Sequence, residues 1–249
     1  GIGMLSPGSK QELNRATREL HTLLRAAKIY AATYNVDTAV AFYETPEFKN
    51  TSPASIASAA AVFYKLPANE SRQCLYTDEN GDPVNVHIEY LPLPSESGDF
   101  KQFPGRYIVY LPPNWPEVDT VLPDITNPDD QFDPVSGQKR IYTYLQSSDP
   151  GTFLFDYDIT NANGDTICFD TEKVQSFPAY IFQTSGRIES SADKERLTLY
   201  VAPRPDEDAS VRLIEPEFTL EISEEFDINQ LVHNTIHLYK STGRLKTAS

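Results

Sequence analysis

An α+β fold, with one long N-terminal helix packed on antiparallel β-sheet, is predicted by three features of the chain. Apolar residues near the start recur with a helical period, strand-like runs dominate after residue 36, and Gly, Asn, Asp and Pro punctuate those runs. With 14 Tyr and 13 Phe, the later segments also carry the aromatic residues that suit half-buried strands.

The helix is predicted over residues 9–35. Ser9 and Glu12 have the S-x-x-E spacing of a capping box, in which each side chain satisfies a backbone N–H of the other residue. Leu13, Ala16, Thr17, Leu20, Leu23, Leu24, Ala27, Tyr30, Ala31 and Tyr34 follow at three- and four-residue steps and share one stripe, with Arg15, Arg18, Thr22, Arg25 and Lys28 off it. A 25-residue helix is about 37 Å long, the span of a small domain. Asn35 ends it, and Val36 to Tyr43 alternates as a strand with Val36, Thr38, Val40 and Phe42 on one face.

Along the rest of the chain, Ser52-Pro53 ahead of the alanine-rich run Ala54 to Tyr64 predicts a short capped helix ended by Pro67. Cys74 to Thr77 and Val84 to Leu91 flank an Asn80-Gly81 turn and form a hairpin. Arg106 to Leu111 is a strand, and Pro112 to Gly137 is a long loop containing Trp115. Ile141 to Leu145 and Thr152 to Thr160 are strands; the latter turns at Asn163-Gly164-Asp165 into Thr166 to Phe169, a second hairpin. Tyr180 to Arg187, Leu197 to Val201, Phe218 to Ile222 and Thr235 to Arg244 complete the strands. Twice an apolar strand runs through Ser or Thr into Gly-Arg, at Gly186-Arg187 and Gly243-Arg244, where glycine supplies the positive φ of a tight turn. No shift of composition divides residues 36–249, which read as mainly β within a single domain over 9–249 carrying insertions.

A formal charge of −15 and a pI near 4.6 exclude a nucleic-acid partner, which requires a basic surface. The two cysteines, Cys74 and Cys168, fit either free thiols or a single bridge, because the sequence does not fix the distance between them. No run of 18 apolar residues spans a membrane, and no stretch reads as a signal peptide. Gly1-Ile2-Gly3-Met4-Leu5 instead reads as the tail of an apolar segment, so residues 1–8 are expected to be the remnant of a removed N-terminal anchor.

Four scattered histidines offer no catalytic or metal constellation, although His233 and His237 share a face if one strand covers Leu231 to Tyr239. There is no G-x-S-x-G, H-E-x-x-H or phosphate-binding glycine loop. Asp156 and Asp158 lie on one face of a strand and read as solvated. Asp78, Asn80 and Asp82 have the odd-position spacing that begins a calcium loop, and Asp129, Asp130 and Asp133 form a second cluster, but turn chemistry accounts for both. No catalytic residue, cofactor or metal is therefore expected.

The helix running into a strand, followed by two Gly-Arg strand ends, resembles the H-type minor pseudopilins of type II secretion and their FimT-like type IV pilus relatives. Leu20, Leu24, Ala27 and Ala31 match the family's L-x-x-x-L-x-x-A-x-x-x-A helix ahead of the strand Thr38 to Phe42. Phe182 to Arg187 match F-x-x-x-G-R, Leu197 to Leu199 match L-T-L, and Thr242 to Arg244 match T-G-R. The resemblance covers about 40 residues at the start and 30 at the end. It implies a non-enzymatic filament subunit with a pilin-like head, in the periplasm on an inner-membrane anchor or in an extracellular filament. Its partners would be other pilin-like subunits, met through the helix around Leu13, Thr17 and Arg18, and it would touch the membrane only through the anchor. Freed of that anchor, the chain is expected to be monomeric. The family's mature N-terminal Phe and its acidic fifth residue have no counterpart in this sequence. Two other classes remain: an exported glycan- or protein-binding β-rich module using Trp115 and neighbouring tyrosines, and a hydrolase, for which no motif speaks.

Overall fold

The computed structural model describes residues 7–44, 56–68, 72–77, 83–93, 100–103, 107–110, 138–144, 158–160, 166–168, 174–190, 194–203 and 233–248. Helix α1 spans Pro7–Tyr34, 28 residues. Pro7, Gly8 and Ser9 all lie within it. Ser9 is preceded by helical residues, so the predicted capping box is not the helix start. At the far end Asn35 adopts φ 54° and the Val36 N–H donates to the Ala31 carbonyl at 3.3 Å, the closing bond of a Schellman-type cap.

The chain then enters β1 (Thr38–Glu44), β2 (Ile56–Lys65), β3 (Arg72–Thr77), β4 (Pro83–Ile88), β5 (Tyr90–Pro92), β6 (Lys101–Gln102), β7 (Tyr107–Tyr110) and β8 (Lys139–Tyr144). There follow β9 (Asp158–Thr160), β10 (Thr166–Cys168), β11 (Val174–Phe182), β12 (Ile188–Glu189), β13 (Arg196–Pro203), β14 (Asn234–Tyr239) and β15 (Arg244–Ala248). Eleven form an antiparallel sheet of order β12-β11-β1-β2-β7-β13-β14-β15, with β5 and β6 also pairing with β2, and β8 with β11. The other four form a second sheet, β4-β3-β10-β9. Both predicted hairpins, β3–β4 and β9–β10, are present in it. The architecture is α+β, one N-terminal helix with antiparallel sheets, relieved by a single parallel pairing of β3 with β10 among the described strands.

The helix predicted over Ala54 to Tyr64 is instead strand β2, paired with β1 from Thr38↔Tyr64 to Glu44↔Ala57. Alanine's helix propensity is outweighed by tertiary pairing. The strand is covered on both sides, with Ala57 and Ala60 in the core beneath α1 and Ala61 and Phe63 in a second core. Small side chains let a strand lie close to the layers on either face. The strand predicted at Phe218 to Ile222 and the first part of Thr152 to Thr160 lie outside the described residues.

Helix α1 packs on one face of the large sheet. Leu13, Ala16, Leu20, Leu24, Ala27 and Ala31 meet Val40, Phe42, Tyr180, Phe182, Leu197, Leu199, Ile236 and Leu238. Residues 39 and 41 of β1 do not face solvent. Ala39 and Ala41 lie with Phe63, Tyr90, Ile141, Phe177, Ala179 and Ile181 in the second core.

Candidate assembly surface

The elements quoted for function are α1 and the two Gly-Arg turns, and the structure brings them together. Gly186 (φ 77°) follows β11, and Gly243 (φ 57°) joins β14 to β15. In the first turn the Gly186 N–H donates to the Gln183 carbonyl at 2.7 Å; in the second the Gly243 N–H donates to the Tyr239 carbonyl at 2.7 Å. The left-handed backbone accounts for each glycine. Gly243 has a further reason: a Cβ there would collide with the Gly186 carbonyl oxygen, so the two turns stack backbone to backbone. Arg187 and Arg244 are exposed, and each leads into the next strand, β12 and β15.

Three polar contacts fix the α1–β1 unit, two of them to the turns. Lys28 crosses the paired turns, with Nζ donating to the Thr242 carbonyl at 2.7 Å and its stem beside Gly186. Asp37, in the link between α1 and β1, accepts the Thr184 N–H at 3.0 Å. Thr38 Oγ1 donates to the Ala27 carbonyl at 2.8 Å in the buried interior. Glu195 adds a fourth tie among the strands by accepting the N–H and hydroxyl of Ser241, bonds that hold its carboxyl below the usual range.

The other end of α1 is equally fastened. Thr17 Oγ1 donates to the Leu13 carbonyl, and Asn234 Nδ2 donates to both Asn14 Oδ1 and Thr17 Oγ1, each at 3.0 Å. Leu13 and Thr17 are therefore core residues, 2% and 4% exposed, and cannot present themselves to a neighbour as the sequence suggested. Of that trio only Arg18 is on the outer face. Leu20, Leu24, Ala27 and Ala31 are fully buried, as the periodicity requires.

The outer face of α1 carries a second stripe that the sequence reading did not separate from the first. Ala26, Ile29 and Tyr34 are exposed and Tyr30 is half-buried; Ile29 and Tyr34 are 53% and 65% exposed. The spacing 26, 29, 30, 34 is itself helical, and exposed Thr33, which falls within the same stripe, is its polar member. The Tyr30 and Tyr34 rings pack with centroids 4.3 Å apart. The signal was available in the sequence: Tyr30 and Tyr34 sit at the edge of the inner stripe and Ile29 lies outside it.

His237 faces Thr198 across the β13–β14 pair at 3.1 Å, and burial, then Arg196 and Lys246, lower its pKa. His21 is lowered by burial and then by Arg25. His233 precedes β14 and its ring packs edge-on against Tyr200. Among the described residues no three His, Cys, Asp or Glu converge as metal ligands. No described helix is long and apolar enough to cross a membrane. Asp78, Asn80, Asp82, Asp129, Asp130, Asp133 and Trp115 lie outside the described residues. No family model, curated protein or solved structure matches the chain.

Proposed function

We propose that this chain is the head of a non-enzymatic, pilin-like filament subunit, of the kind found in type II secretion or type IV pilus-like assemblies. The observation that carries this reading is the double character of α1. Its inner stripe is locked into the head, the helix passes directly into strand β1 within the large sheet, and a second, largely apolar stripe stays uncovered. A helix whose only task is to cover a sheet presents a polar outer face. One that also packs against neighbouring helices has use for Ala26, Ile29, Tyr30 and Tyr34.

Assembly of this type needs no bound ligand. Contacts between unlike surfaces of identical subunits generate open helical arrays when the rotation between subunits does not close. The paired glycine turns and Lys28 serve here as the brace that sets the helix against the sheet. The anchor would be an apolar segment ahead of Gly1, and the head would lie in the periplasm or in an extracellular filament.

The test is the reading frame upstream of Gly1. A prepilin-peptidase junction is expected there, followed by about 20 apolar residues continuous with α1. A cleavable signal peptide joined directly to residue 1 would overturn the proposal and favour an exported binding module.

A further inference from the structure

We infer that Cys74 and Cys168 form an intrachain disulfide that staples the smaller sheet together. They are the only two cysteines of the chain, and 93 residues lie between them. In the fold they are direct register partners, Cys168↔Cys74, on the adjacent parallel strands β3 and β10. A residue in a sheet has at most two direct register partners, and for each cysteine one of these is the other cysteine. Neighbouring strands run about 4.8 Å apart, inside the Cα separation that a disulfide spans.

The location also has a mechanical reason for a bridge. The β3–β4 hairpin is held by six register pairs, Arg72↔Ile88 to Thr77↔Pro83, and β9–β10 by three. Among the described residues only two pairs, Ile167↔Gln73 and Cys168↔Cys74, join one hairpin to the other. Parallel pairing is weaker per residue than antiparallel pairing, so the seam is the weakest line in that sheet and the cysteines sit on it.

The chemistry is a thiol–disulfide exchange with a small-molecule or protein disulfide as oxidant. One cysteine thiolate attacks the oxidant's S–S bond, expelling one sulfur as a thiolate. The second cysteine thiolate attacks the resulting mixed disulfide and expels the other. The two cysteines lose two electrons and two protons, and the oxidant leaves as two thiols. The bond belongs to a chain that meets an oxidising compartment, and it depends on register alone, not on the filament proposal.

The experiment exposes the purified chain to oxidised glutathione, alkylates it with iodoacetamide, and compares intact mass and peptide maps with and without prior reduction. Oxidation is expected to leave no alkylated cysteine, a mass about 2 Da below the reduced form from the loss of two hydrogens, and a peptide linking Cys74 to Cys168. Hydrogen exchange of the same wild-type protein should show protection of residues 158–160 and 166–168 lost on reduction, with α1 unchanged. The C74S/C168S double variant should resemble the reduced protein and be insensitive to reductant. Alkylation of both cysteines after oxidation, glutathione retained on either one, or exchange at 158–160 and 166–168 indifferent to reductant would each overturn the inference.

Discussion

The two faces of the large sheet are built in different ways. Under α1 the core is mainly aliphatic, with Leu20, Leu24, Val40, Leu199 and Leu238 around small residues and Phe42, Tyr180 and Phe182 among them, and hydrogen bonds from Thr38, Lys28 and Asn234 fix the helix in place. On the opposite face the core is aromatic. Phe100 and Phe177 pack with ring centroids 4.7 Å apart, and Phe63 and Tyr43 lie within 6.5 Å of one or both. Tyr90 OH and Thr143 Oγ1 are buried there without a hydrogen-bond partner among the described residues, and burial raises the Tyr90 pKa so that its phenol stays neutral. The helix side is positioned by directional bonds; the aromatic side is held by ring area.

The contrast is broken most strongly at Leu24. Leu24→Asp puts an unpaired carboxylate where the side chain is fully buried, and the head should fail to fold, read as loss of the cooperative thermal transition. An unchanged melting temperature would mean that α1 does not sit where described. On the aromatic face, Phe177→Ala should cost about 3–5 kcal/mol in denaturant unfolding while leaving the helix seated.

Smaller effects sharpen the contrast. Gly243→Ala should cost at least about 1–2 kcal/mol from the left-handed backbone, with more from the collision at Gly186. Asn234→Ala should cost roughly 1–3 kcal/mol by removing the donors that serve Asn14 and Thr17. A loss at Asn234 smaller than that of Arg18→Ala, an exposed change expected within about ±0.5 kcal/mol, would deny the polar clamp its role.

The smallest effect is one of pH. The His237 pKa is lowered in the folded chain, so between that value and about 6.5 the unfolded chain binds more protons. Its contribution is present above about pH 6.5 and is lost as pH falls toward the folded value. Urea unfolding at about pH 7 and about pH 5, on either side of the ordinary histidine value, should show a steeper fall for wild type than for His237→Gln. Equal falls would leave His237 without a part in the pH dependence.

The helix side was the more legible in the sequence, for a physical reason. Leu13, Leu20, Leu24, Ala27 and Ala31 repeat with the helical period because one face is buried, and a positive φ left its mark as glycine at 186 and 243. The aromatic side draws Phe63, Phe100 and Phe177 from distant segments, and no local period announces such a cluster. β2 misled because its run of buried alanines, Ala57, Ala59, Ala60 and Ala61, carries neither clean alternation nor β-branched residues. The partner of Thr17 was hidden, since Asn234 lies 217 residues beyond it. The stacking of the two Gly-Arg turns likewise depends on the sheet, although their repeated sequence pointed to a shared geometry.

On the proposed function, α1 holds the head by one face and meets its neighbours by the other. This is tested most directly by placing a photo-activated cross-linking residue at position 29 in the full-length gene product, in its native membrane. A ladder of self-linked subunits is predicted from position 29 and none from exposed position 246 on β15. No ladder from position 29, or equal ladders from both, would contradict it.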